Sequence, residues 1–136
     1  MPDTAKTMVL GFLAAMEQRD LEKAQSYLAE DFAMSFPEDT RFTRLEELVA
    51  WSKNRYRFVR KTIDGIDAMT DESGTVVYCS GTLAGEWPDG STFAGIRFID
   101  RFVVRGGKLA GQEVWNDLAE ARAQRIPADA EDEPCN

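Results

Sequence analysis

Apolar residues recur at spacings of three and four over residues 4–18, where Ala5, Met8, Val9, Phe12, Leu13 and Met16 form one stripe. That period predicts a first helix, with Thr4 placed to cap its start and Arg19 to close its last turn. Asp20 reads as the N-cap of a second, short helix that turns Leu21, Ala24 and Leu28 inward and is ended by Glu30 and Asp31. The period then changes to two. Phe32, Met34 and Phe36 alternate with Ala33 and Ser35, which predicts a short strand stopped at Pro37. Residues 43–61 return to helical spacing: Leu45, Leu48, Val49, Ser52, Tyr56 and Val59 form an inner stripe, flanked by Trp51 and Phe58. Thr43 with Glu46 matches a capping box, so a third and longest helix is expected there. Beyond it, turn-forming clusters at 71–74, 88–90 and 106–107 separate four runs, 63–70, 75–87, 92–105 and 108–116, which read as antiparallel strands. Gly81, Gly85 and Gly95 interrupt these strands and mark bulges or bends, so the sheet is expected to curve strongly.

Helices gathered at one end of an antiparallel sheet define an α+β domain. A curved sheet wrapped around a long helix makes a cone, and its open end is a natural pocket. Residues 1–126 are read as one such domain with three helices. Residues 127–136, acidic and carrying proline without apolar partners, are expected to be a disordered tail.

One position breaks the pattern. On the strand 92–105, Ile96, Phe98, Phe102 and Val104 share a face, and Asp100 has the same parity. A carboxylate among phenylalanines either shifts its pKa or finds a partner. Such carboxyls gather at functional sites, although a plain hydrogen bond to backbone or arginine is the structural alternative. On the last strand Gln112, Val114 and Asn116 share one face and Glu113, Trp115 and Asp117 the other; a one-residue slip exchanges them, and the sequence leaves both orientations open. Tyr56 stands apart from the other aromatics because its hydroxyl needs a partner when buried.

Charge and composition narrow the function. The 136 residues carry a formal charge of −8, which argues against nucleic acid or an anionic membrane as partner. No apolar run approaches the length of a membrane span, and the start MPDTAK lacks the apolar core of a signal peptide, so a cytoplasmic protein is expected. Cys79 and Cys135 are read as thiols. The chain has no histidine, which excludes Ser-His and Cys-His nucleophiles and the usual zinc sites; no metal and no cofactor are expected. Between Lys53 and Thr62 five bases and no acid occur: a solvated helix face, or a rim that steers an anionic ligand.

The segments FLAAMEQRDLEKAQSYLAEDF, FIDRFVVRGGKL and QEVWND, in this order of elements, resemble the cystatin-like cone fold of nuclear transport factor 2, ketosteroid isomerase and the SnoaL-type polyketide cyclases over about residues 5–118. The oxyanion-hole aspartic acid of the isomerases lies in an Ile-Asp-x-Phe pattern, met here by Ile99-Asp100-Arg101-Phe102. The resemblance implies that Asp100 donates to, or exchanges protons with, a developing enolate, as an aspartic acid kept neutral by its apolar site does in ketosteroid isomerase. Two members of that apparatus are missing: its tyrosine falls at Phe12 and its general base near Phe36. Steroid isomerisation is therefore not expected. The resemblance implies instead an isomerase, cyclase or dehydratase acting on a small apolar carbonyl compound with Asp100 catalytic, and Tyr56, on the third helix, is the catalytic candidate to replace the lost groups. Phe12, Phe36, Trp51, Phe98, Phe102, Gln112 and Asn116 would hold the ligand. The alternatives are a cone that binds an apolar ligand without chemistry, or a structural homodimer. Dimers of related cones form through the outer sheet face, which here bears Ile99 and Val103 among Arg97, Arg101 and Arg105.

Overall fold

The computed structural model describes residues 2–124. In chain order these are α1 (Pro2–Glu17), α2 (Leu21–Gln25), β1 (Leu28–Phe36), β2 (Thr40–Phe42), α3 (Leu45–Ser52), β3 (Phe58–Asp71), β4 (Gly74–Glu86), β5 (Thr92–Arg105), β6 (Lys108–Asn116) and α4 (Leu118–Gln124). The strands form a six-stranded sheet in the order β2-β1-β6-β5-β4-β3, antiparallel except where β1 runs parallel to β6. The fold is the expected α+β cone. The tail expected at 127–136, with Cys135, lies outside the described residues. Among those described, no helix is long and apolar enough to cross a membrane.

The sheet wraps α1. Val9 and Phe12 are buried on its inner stripe, and the Phe12 ring meets Phe32 of β1 and Phe102 of β5 edge-on at 6.0 Å each. Burying a side chain of this size is worth about 2–3 kcal/mol. The helix starts earlier than expected, so Thr4 lies in its first turn rather than at its cap. Arg19 does close it, donating from Nη1 to the carbonyl of Met16 at 2.6 Å. Asp20 caps α2 as expected, its carboxylate accepting from the amide of Lys23. Leu28, expected on that helix, instead opens β1, which also contains Glu30 and Asp31.

The largest difference concerns the third helix. It was expected to be the longest and to reach residue 61, but α3 ends at Ser52, and the chain becomes strand at Phe58. Val59 and Ile63 are four apart, which suits a helix, but they are also of one parity, which suits a strand. Arg57 settles the matter by donating its amide to Glu86 at 2.8 Å, and residues 58–71 then pair with β4 along its whole length. Tertiary pairing overrides a helical period here. Phe58, expected in the core, is consequently on the outer face with the Arg60 guanidinium 5.0 Å above its ring. The cap of α3 is displaced by one residue: the carboxylate of Glu47, not Glu46, accepts from the amides of Thr43 and Arg44.

Glycines bend the sheet as expected. The ladder shifts register between Leu83 and Gly85 opposite β5, where Gly95 adopts φ +70°. A Cβ at Gly81 would lie 1.8 Å from the carbonyl oxygen of Thr62, so β3 approaches β4 closely only because that side chain is absent. Two short elements, β2 and α4, were not foreseen.

Candidate functional site

The open end of the cone encloses a cavity of about 130 Å³, on the order of ten times the space one water needs. Its inner wall comes from alternate residues of the sheet: Val59 and Lys61 of β3, Leu83 of β4, Phe98 and Asp100 of β5, and Gln112, Val114 and Asn116 of β6. Phe12, Leu13 and Met16 of α1 close one side. Phe36 and Pro37, Leu48 and Trp51 of α3, Tyr56, and the first turn of α4 with Arg122 surround the mouth.

Asp100 is 0% exposed. Register sets it between Cys79 of β4 and Val114 of β6, and through Cys79 level with Ile66 of β3. Its partner is Lys61, several residues further along β3, which reaches diagonally over the inner face. Lys61 Nζ lies 2.6 Å from Asp100 Oδ2 and 4.8 Å from the centre of the Phe98 ring. The lysine side chain is 23% exposed, and both it and the buried carboxylate line the cavity wall. Asp100 Oδ1 is buried and has no hydrogen-bond partner in the protein among the described residues. Leaving such an acceptor unmatched costs about 1–3 kcal/mol. The same pair acts on the thiol of Cys79. Burial pushes that thiol up to about 11, with the negative charge of Asp100 adding to the effect and Lys61 opposing it.

Of the residues expected to form the site, Asp100, Tyr56, Phe12, Phe36, Trp51, Phe98, Gln112 and Asn116 all line the cavity. Phe102 does not: it is fully buried, one pleat deeper, against Phe12. Tyr56 lies in the link between α3 and β3 rather than on a helix, and its hydroxyl bonds no other described residue. The open question about β6 is resolved by burial: Gln112 and Val114 face inward, whereas Trp115 is 49% exposed on the outer face. The Gln112 amide makes no hydrogen bond to another described residue and is available to a ligand. Asn116 is partly committed, since its Oδ1 accepts from the amide of Leu118 at the start of α4.

Sequence reasoning missed Lys61. The charge pattern groups it with the basic run of a helix, yet on a strand it shares the parity of Val59 and Ile63, the signal that exposed Asp100. That run has no single role. Arg57 pairs with Glu86 on the surface, Arg60 covers Phe58, and Arg55 stacks 4.0 Å above Trp51 at the cavity mouth. Trp51 joins Phe36 and Phe42 in a cluster with ring centres 5.4–5.8 Å apart. Among the described residues, no three His, Cys, Asp or Glu side chains gather as metal ligands.

Residues 9–112 match the SnoaL-like domain family. No curated protein matches the chain by sequence. Solved structures with a similar fold include an NTF2-like protein of unknown function from Burkholderia pseudomallei, with a TM-score of 0.73 at 20% identity over 90% of this chain and 97% of that one. TerC co-crystallised with polyporic acid gives 0.72 at 18% over 86% and 94%. A candidate polyketide cyclase from Xanthomonas campestris gives 0.69 at 20% over 90% and 97%.

Proposed function

The chain belongs to the SnoaL-like domain family, and we propose that it moves a proton beside the carbonyl group of a small apolar molecule held in the cone. The observation that carries this reading is the Asp100–Lys61 pair at the cavity wall, with Oδ1 of Asp100 free of hydrogen bonds to the other described residues. An ammonium has three donors, and Lys61 spends one on Oδ2. Another can polarise the substrate carbonyl. The proton on the adjacent carbon passes to Oδ1 of Asp100, the electron pair of the broken C–H bond forms a carbon–carbon double bond, and the carbonyl π pair moves onto the oxygen. The resulting enolate is stabilised by the Lys61 ammonium beside it. Tyr56 is a second donor to that oxygen, and Gln112 orients the substrate. Return of the proton to a different carbon is an isomerisation; attack of the enolate on a second carbonyl is a cyclisation. Structural neighbours named as polyketide cyclases support this class.

Hydrogen–deuterium exchange tests the reading without knowledge of the natural substrate. Aryl ketones and β-diketones are incubated with the protein in D2O, and loss of the α-proton signal is followed by NMR. Catalysed exchange is expected, and Asp100→Asn should reduce it by a factor of roughly 10²–10⁴. Binding with no catalysed exchange across the panel would overturn the enzymatic reading. It would favour a ligand-holding module, a role the ion-paired state of Asp100 also fits.

The proposed assembly is a homodimer through the outer sheet face, where Tyr78, Ile99 and Trp115 are exposed. The proposed setting is the cytoplasm.

A further inference from the structure

The cavity wall is largely apolar apart from Lys61, Asp100, Gln112 and Asn116, and further charged residues line it nearer the mouth. Arg19, Arg55 and Arg122 line it, together with Glu17 and Glu38. Lys61 and Asp100 neutralise each other deeper inside. The mouth thus carries three positive charges against two negative ones, in a chain whose formal charge is −8. The three arginines come from separate elements: the turn after α1, the link after α3, and α4. None has a carboxylate within ion-pair distance among the described residues. Two are braced in other ways. The Arg55 guanidinium lies on the face of Trp51, and Arg19 Nη1 bonds the Met16 carbonyl. Arg19 also has φ +59°, a backbone state that glycine ordinarily takes just past a helix end.

We propose that this mouth is a binding subsite for an organic anion. The molecule taken by the cone is then a flat apolar carboxylate whose charged end lies among Arg55, Arg122 and Arg19. Its body rests against Trp51 and Phe36, and its reactive end reaches Lys61 and Asp100. Guanidinium is suited to this role because its planar fork pairs a carboxylate through two parallel bonds while its face stays on the indole. The proposal rests on reading the cavity as a small-molecule site and adds the substrate's charge and orientation.

A matched pair of probes separates the two ideas. Isothermal titration of 2-naphthoate and 2-naphthamide compares the same rings with and without charge. Naphthoate is expected to bind roughly tenfold tighter at low salt, a preference that shrinks as ionic strength rises. Arg55→Gln/Arg122→Gln should bring the ratio of naphthoate to naphthamide affinity close to one, whatever the two affinities themselves become. Equal binding of both probes by the unmodified protein, or a preference that survives in the double variant, overturns the anion subsite and leaves the proton-transfer reading standing. Binding of neither probe overturns both.

Discussion

Asp100 and Lys61 depend on each other more than either depends on its neighbours. The carboxylate is fully buried, and its one hydrogen-bond partner among the described residues is the ammonium 2.6 Å away. Removing one partner of a buried pair costs about 3–5 kcal/mol, whereas replacing both with apolar groups is often neutral. Urea unfolding should therefore show Lys61→Met to be severely destabilised, and Asp100→Leu/Lys61→Met to recover most of the loss. Equal losses in the single and double variants would mean that the pair is not coupled. Cys79 supplies a pH prediction. Its thiol is raised from 9.0 to about 11, so between those values the folded state keeps a proton that the unfolded chain releases. Stability from this group is complete below pH 9 and is lost as pH climbs to 11, by about 2–3 kcal/mol. The decline in stability over that window should be shallower in Cys79→Ala than in the parent. At this scale the sequence was half legible. The parity of Asp100 flagged it as anomalous among Ile96, Phe98 and Phe102, but Lys61 shows the same parity signal only once its segment is known to be a strand, and its pairing across three strands depends on registers that no local signal encodes.

Among the elements, β3 decides whether the site exists. As the last turns of a helix, residues 53–61 would have turned Lys61 toward solvent with its basic neighbours. As a strand, they place it on the inner face. The pairing of β3 with β4 is tight at Gly81, where a methyl group would meet the Thr62 carbonyl at 1.8 Å. Backbone, unlike a flexible side chain, cannot yield there. Gly81→Ala should cost about 1–3 kcal/mol by thermal melting. It should also weaken naphthamide binding, since separating β3 from β4 moves Lys61 away from Asp100. Loss of stability with binding intact would show that the strand position matters only for folding. The same logic explains why helix α1 and strands β4, β5 and β6 were read closely from the sequence while α3 was not. Their stripes fit one period each, whereas Val59 and Ile63 fit two.

For the molecule as a whole, the outer sheet face raises the question of assembly. Ile99 stands opposite Trp115 in the β5–β6 ladder, both exposed, with the Arg101–Glu113 pair beside them. Exposed apolar clusters of this kind mark contact surfaces, and a twofold pairing would make the patch self-complementary. Light scattering should give a dimer at micromolar concentration, and Trp115→Glu should shift it to monomer while leaving the cavity, on the opposite face, able to bind; a parent that is already monomeric removes the idea. The sequence by itself determined the first two helices, the four C-terminal strands, the bends at its glycines and the presence of one acid on an oily strand face, because periodicity and turn chemistry act over a few residues. Tertiary structure alone decided that residues 58–61 begin β3 rather than end a helix, that Gln112 and not Trp115 faces inward, that Phe102 belongs to the core, and that arginines from three distant segments line one cavity. Those outcomes follow from which edges pair and how far the sheet curls, energies that arise only when remote parts of the chain meet.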